Sequence, residues 1–129
     1  MSKDIDLLVP ILRQAWAELK PWYENKFPNR VLKIGCTQRT PVEQLRLFIQ
    51  GRLPENPGKK VTWKDGFNKA SKHNVMPLSK AMDIWVMKDF EYVWDEKYFL
   101  PFVDFIKERY NKILQSGAPY GDYDHIEVI

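Results

Sequence analysis

The chain has 129 residues, 44% of them hydrophobic and 29% charged, with a formal net charge of +3. These are the proportions of one globular domain large enough for its own core. The charge is mild and no basic stripe accompanies it, which argues against nucleic acid. No stretch approaches the ~20 apolar residues needed to cross a bilayer, and a lone Cys36 can form neither an internal disulfide nor a closed thiolate cage.

In chain order, residues 4–20 carry Ile5, Leu8, Leu12, Trp16 and Leu19 at three- and four-residue spacing. This predicts an amphipathic helix that is kinked or begun by Pro10 and stopped by Pro21. Residues 31–36 read as a strand. Thr40-Pro41-Val42-Glu43 predicts a second helix with Thr40 as N-cap, Pro41 in the first turn and Glu43 closing a capping box, running to about Gln50. Residues 51–72 read as a long polar loop, with a brief strand at 61–63; loops of that length in a compact domain are often functional. Residues 80–87 read as a strand with Ala81, Asp83 and Trp85 on one face and Met82, Ile84 and Val86 on the other. Phe102, Phe105, Ile106, Tyr110 and Ile113 predict a helix over 98–114, and residues 123–128 a final strand. The expected class is α+β, a small and mostly antiparallel sheet packed by helices.

The two histidines are the most telling residues. His73 follows the polar loop, Asp83 sits on a defined face of the next strand, and His125 lies on the last strand. Two imidazoles and one carboxylate make a three-ligand set that leaves a fourth zinc position open, the arrangement of catalytic rather than structural zinc. Asp122 would point away from His125 in a regular strand. At the end of a Gly117–Gly121 turn, its carboxylate could instead reach the open position as a proton acceptor. The alternative is that Asp122 and Asp124 only decorate a turn. Trp63 and Trp85 flank the ligands in sequence and are candidates for a substrate groove, against core packing as the commoner fate of such residues.

Ser71-Lys72-His73, Ala81-Met82-Asp83 and Asp122-Tyr123-Asp124-His125 resemble the Ser-x-His, Ala-x-Asp and acid-x-x-His motifs of the zinc D-Ala-D-Ala carboxypeptidase (VanY-like) superfamily. That superfamily includes the L-alanyl-D-glutamate endopeptidases of phage endolysins. Arg39-Thr40 with Glu43-Gln44, then Gln50-Gly51-Arg52, Pro57-Gly58 and Val61-Thr62, continue the similarity, which covers residues 33–129. The resemblance implies a Hedgehog/DD-peptidase-like fold and zinc held by His73, Asp83 and His125. It makes Asp122 the general base and acid. It implies that Arg39 stabilises the scissile carbonyl oxygen or a substrate carboxylate, with a surface ion pair as alternative. Ser71 would line the site and bind substrate, or be a plain loop serine, and Glu127 would support His125, or be a solvated strand charge. Two departures stand out. The segment between His73 and Asp83 is three residues longer than usual, within 74–78, with Ser79 for the usual Gly; the ligands still meet if the insertion turns outward, as Pro77 favours. Thr37-Gln38-Arg39 replaces the commoner Gly-aromatic-Arg.

The implied activity is hydrolysis of the peptidoglycan stem peptide at the L-Ala–D-Glu bond by a single zinc peptidase domain spanning 1–129, without a separate wall-binding domain. A monomer is expected, made in the host cytoplasm without a signal peptide, released through a holin, and acting on the wall without stable membrane insertion. The competing readings are a D-Ala-D-Ala carboxypeptidase or dipeptidase, and a non-catalytic zinc-binding phage module. An HNH-type nuclease is disfavoured because no helix with further ligands follows Asp124-His125.

Overall fold

A computed structural model describes residues 1–52 and 59–129. Residues 53–58, the Pro57-Gly58 pair among them, lie outside the described residues. The order of elements is helix α1 (Pro10–Lys26), strand β1 (Arg30–Cys36), helix α2 (Pro41–Ile49), strands β2 (Ala81–Lys88) and β3 (Glu91–Val93), helix α3 (Leu100–Arg109), and strands β4 (Leu114–Gly117) and β5 (Asp122–Val128). The class is α+β, as the sequence predicts.

Leu12, Ala15, Leu19 and Tyr23 form the buried stripe of α1, and Pro10 is at its start, where a missing N–H costs nothing. Pro21 does not stop the helix, contrary to expectation; α1 continues to Lys26. Pro21 lies on the exposed face, where water can take up the carbonyl left without a partner. Tyr23, buried two residues later, holds the helix by packing. Helix α2 begins as predicted: the Thr40 hydroxyl accepts from the Glu43 N–H, and the Glu43 carboxylate accepts from the Thr40 N–H.

The five strands form one antiparallel sheet of order β1-β2-β5-β4, with β3 also paired to β2. Strand β1 runs along one edge of β2, while β5 (against 81–83) and β3 (against 86–88) share its other edge. One sheet face carries Leu32, Met82, Ile84, Val86 and Ile126 into the core with α1 and α3. Each fully buried side chain of this kind contributes about 1.5–3 kcal/mol. The opposite face carries Asp83, Trp85 and their cross-strand neighbours.

Two other expectations fail, and one element went unread. Residues 61–63 form no strand; Trp63 is 72% exposed, and Thr62 instead serves side chains, accepting from Gln44 and Arg52. The helix expected over 98–114 ends at Arg109. Tyr110 leaves helical geometry and Lys112 adopts a left-handed φ of 67°. Leu114 then opens β4, paired with Val128. The exposed Ile113 matches the helical spacing by chance. Strand β3, read as no element from the sequence, follows a two-residue turn at Asp89 and Phe90, both at positive φ, the conformation of a tight hairpin.

Candidate metal centre

Pairing across three strands sets Cys36, Asp83 and His125 in one row. The Cα of Asp83 is in register with Cys36 on β1 and with His125 on β5, and directly opposed residues project to the same face. Cys36 joins the row through a bulge. Ile34 pairs with Ile84, but Cys36, not Gly35, pairs with Asp83. The extra residue re-aims the side chain that follows it. Only glycine fits at position 35, because a Cβ there would come within 2.3 Å of the Trp85 ring.

His73 reaches the row from a single 3-10 turn, Lys72–Asn74. Ser71 caps that turn, its hydroxyl accepting from the His73 N–H at 3.2 Å, while the Asn74 side chain accepts from the Ser71 N–H. Ser71 therefore places His73. The segment between His73 and Asp83 turns outward. Met76 and Pro77 are exposed, and the Lys80 N–H returns to the Lys72 carbonyl at 3.0 Å.

Both imidazoles meet the same atom. His73 Nε2 and His125 Nδ1 each lie 3.1 Å from Asp83 Oδ1. Their far nitrogens are anchored: His73 Nδ1 donates to the Thr37 carbonyl at 2.7 Å, and His125 Nε2 donates to Glu127 Oε1 at 2.8 Å. Such outer acceptors fix ring orientation and leave the other nitrogen to a metal. Glu127 is itself held, by Lys72 at 2.9 Å and by Gln115 at 2.9 Å. Ligands at about 2.0–2.1 Å around a tetrahedral zinc stand roughly 3.3 Å apart, close to the spacing seen on both sides of Asp83 Oδ1.

The sulfur of Cys36 is part of the cluster. Cys36, His73 and Asp83 each place a ligand atom within 4.8 Å of the other two, and Cys36 and His73 are 3% and 2% exposed. This buried group could hold a metal ion. Thiol, imidazole and carboxylate together suit a first-row transition metal better than magnesium or calcium, which take oxygen ligands.

The electrostatics favour positive charge at this point. Burial pulls the His73 pKa down, but its hydrogen bond to Asp83 and the Asp83 charge outweigh this and raise it to about 9. Burial also opposes His125, which its bonds to Asp83 and Glu127 raise to about 10. Burial would raise the Asp83 carboxyl, yet the two imidazoles hold it well below the ordinary carboxylate range. The His125 hydrogen bond holds Glu127 down at about 2.

Arg39 is buried, so it is not a surface ion pair. Its guanidinium lies 3.5 Å from Asp83 Oδ2 and donates to Gln44 Oε1 at 2.7 Å. The Gln44 amide is oriented in turn by donating to the Lys64 carbonyl at 2.8 Å and to Thr62 Oγ1 at 3.1 Å.

Asp122 is the exposed first residue of β5, paired with Gly117 across a bulge. A Cβ on Gly117 would crowd the Asp122 carbonyl at 2.5 Å. The Asp122 charge acts on His125, while the hydrogen bonds to Asp83 Oδ1 come from His73 and His125. The Asp122 carboxylate hydrogen-bonds the carboxyl of Asp124. Burial first, and this neighbour second, push Asp124 up to about 8. The Trp85 indole N–H donates to Asp124 at 3.2 Å.

The structure therefore brings His73, Asp83, His125, Arg39 and Glu127 together, with Ser71 as a cap and Asp122 at the rim. Sequence reading missed Cys36, Thr37, Gln44 and Asp124 as participants. Only the glycine before Cys36 hints at a bulge. No protein-family model matches the chain, and no curated protein matches it.

Proposed function

We propose that the protein is a zinc-dependent peptidase of the peptidoglycan stem peptide, cutting the L-Ala–D-Glu bond, built on a Hedgehog/DD-peptidase-like fold. The observation that carries this reading is the convergence of two anchored imidazoles on one oxygen of Asp83. That convergence falls on the three residues that the resemblance to the VanY-like superfamily selects as ligands. His73, Asp83 and His125 would hold the zinc, which when bound supplies Lewis acidity and activates water. Arg39, fixed by Gln44, keeps the second oxygen of Asp83 turned inward; its burial supports a positioning role over direct contact with substrate. Asp122, at the rim and free to face solvent, accepts a proton from the attacking water and returns it to the leaving amine. No helix among the described residues is long and apolar enough to cross a membrane. Action on the wall after release from the cytoplasm is part of the same proposal.

The test is digestion of purified peptidoglycan followed by mass spectrometry of the fragments, with chelator and with zinc restored. A zinc-dependent new N-terminal D-Glu is the expected result. Loss of terminal D-Ala would move the assignment to a carboxypeptidase. No cleavage by a demonstrably zinc-loaded protein would overturn the hydrolase reading for this substrate.

A further inference from the structure

We infer that Cys36 is a fourth resident ligand of the ion, entering from the buried side of the cluster as a thiolate. The inference rests on the metal-site reading above and adds a donor that the three-ligand set lacks. A buried cysteine ordinarily packs as a small hydrophobe, but Cys36 is outside the hydrophobic core cluster. The bulge after Ile34 turns it from the core face to the face of Asp83. There its sulfur sits with an imidazole and a carboxylate, all three donors within 4.8 Å of one another. That position requires a departure from regular pairing and a glycine at 35, where a Cβ would meet the Trp85 ring.

Cys36 and His125 flank Asp83 on opposite strands, so a thiolate adds its donor from the side away from His125. Coordination releases the thiol proton to solvent. The resting ion then takes one sulfur, one nitrogen and one oxygen from this tight group, and His125, outside the group but 3.1 Å from Asp83, must close in to complete the set. A substrate or water must enter by expansion to five ligands. Sulfur in the set also biases the site toward softer ions, zinc over magnesium, calcium or manganese.

Cobalt(II) substituted for zinc in the full chain is the probe, because a cobalt–thiolate bond gives an intense charge-transfer absorption in the near ultraviolet. The chain has a single cysteine, so the band has no other source. Wild type is expected to show it at equimolar cobalt, Cys36→Ser to lose it, and His125→Ala to keep it. Zinc affinity of Cys36→Ser should fall by at least about tenfold, the loss typical even of a residue that only supports a ligand. Cobalt bound to wild type without the band would overturn the inference and leave the metal site standing. No cobalt or zinc bound at all would overturn both. The wild-type spectrum decides the matter even if the serine variant does not fold.

Discussion

Asp83 Oδ1 lies 3.1 Å from His125 Nδ1, and the two residues are direct partners in the β2–β5 ladder. Backbone pairing thus fixes this contact before any ion binds. The same oxygen serves His73 at 3.1 Å, so Asp83 is the element on which the site turns. Asp83→Asn offers an amide in place of a charge to two imidazoles and to Arg39. Loss of bound zinc by elemental analysis is expected, together with a fall of both histidine pKa values by NMR titration. Full zinc occupancy in this variant would remove Asp83 from the ligand set.

Without metal, the protein's stability should fall as pH rises. His73 moves from 6.5 when unfolded to about 9 when folded, and His125 from 6.5 to about 10. A raised folded pKa contributes stability that is complete below the unfolded value and lost as pH climbs through the folded one. Asp83 and Glu127, both lowered, contribute above their unfolded values and lose that contribution on acidification. Asp124, raised from 3.8 to about 8, loses stability as pH rises through that whole range. Metal-free protein should therefore melt highest near about pH 4 to 4.5 and fall steadily above it, through Asp124 first and the histidines next. Zinc needs the imidazoles deprotonated, so its stabilising shift should grow between pH 6.5 and about 9. Melting curves with chelator and with zinc across this range check both trends. A zinc-induced shift that shrinks with rising pH would contradict the assigned ligands.

Glu127→Gln keeps the shape of the His125 partner and removes its charge. The variant should fold, since Lys72 and Gln115 are surface partners, and bind zinc about 10–100-fold more weakly. Competition against a chromogenic chelator measures this. Unchanged affinity would reduce Glu127 to the solvated strand charge that its sequence position also allows.

What the sequence made legible was local. Thr40, Pro41 and Glu43 specify the start of α2 by themselves, and the alternation of β2 is visible because Met82, Ile84 and Val86 are apolar while Asp83 is not. The pairing of strands is not local, which is why β4 and β3 went unread: four and three residues carry too little pattern, and the Asp89–Phe90 turn lacks the glycine that signals a hairpin. Three of the residues in the metal cluster were legible because histidine is scarce here. Cys36 was not, because a bulge decides which face it occupies. Asp124 was passed over because its environment depends on Trp85, 39 positions earlier.

Gly35 ties the bulge to that environment. Gly35→Ala puts a methyl group where the indole of Trp85 lies, 2.3 Å away, and the ring must move. Overpacking of this kind costs about 1–3 kcal/mol, and the shifted indole no longer holds Asp124. Denaturant unfolding should show the loss, and zinc affinity should fall as Cys36 is re-aimed. A variant as stable as wild type would mean that the bulge relaxes freely and does not set the position of Cys36.

Asp122 and Asp124 separate the chemistry from the metal. Asp122 is exposed and acts on Asp124, which burial raises to about 8. Asp122→Asn removes the proposed proton acceptor at the rim but leaves His73, Asp83, His125 and Cys36 in place. The expected variant binds zinc as wild type does, melts within about 0.5 kcal/mol of it as surface substitutions do, and loses peptide hydrolysis by roughly 10²–10⁴-fold, the range for a general acid–base group. Asp124→Asn keeps a hydrogen bond for the Trp85 N–H through its carbonyl but cannot give up a proton. If Asp124 rather than Asp122 carries the proton, the large loss of turnover moves to that variant. Loss in neither, with zinc retained, would remove both carboxyls from the reaction.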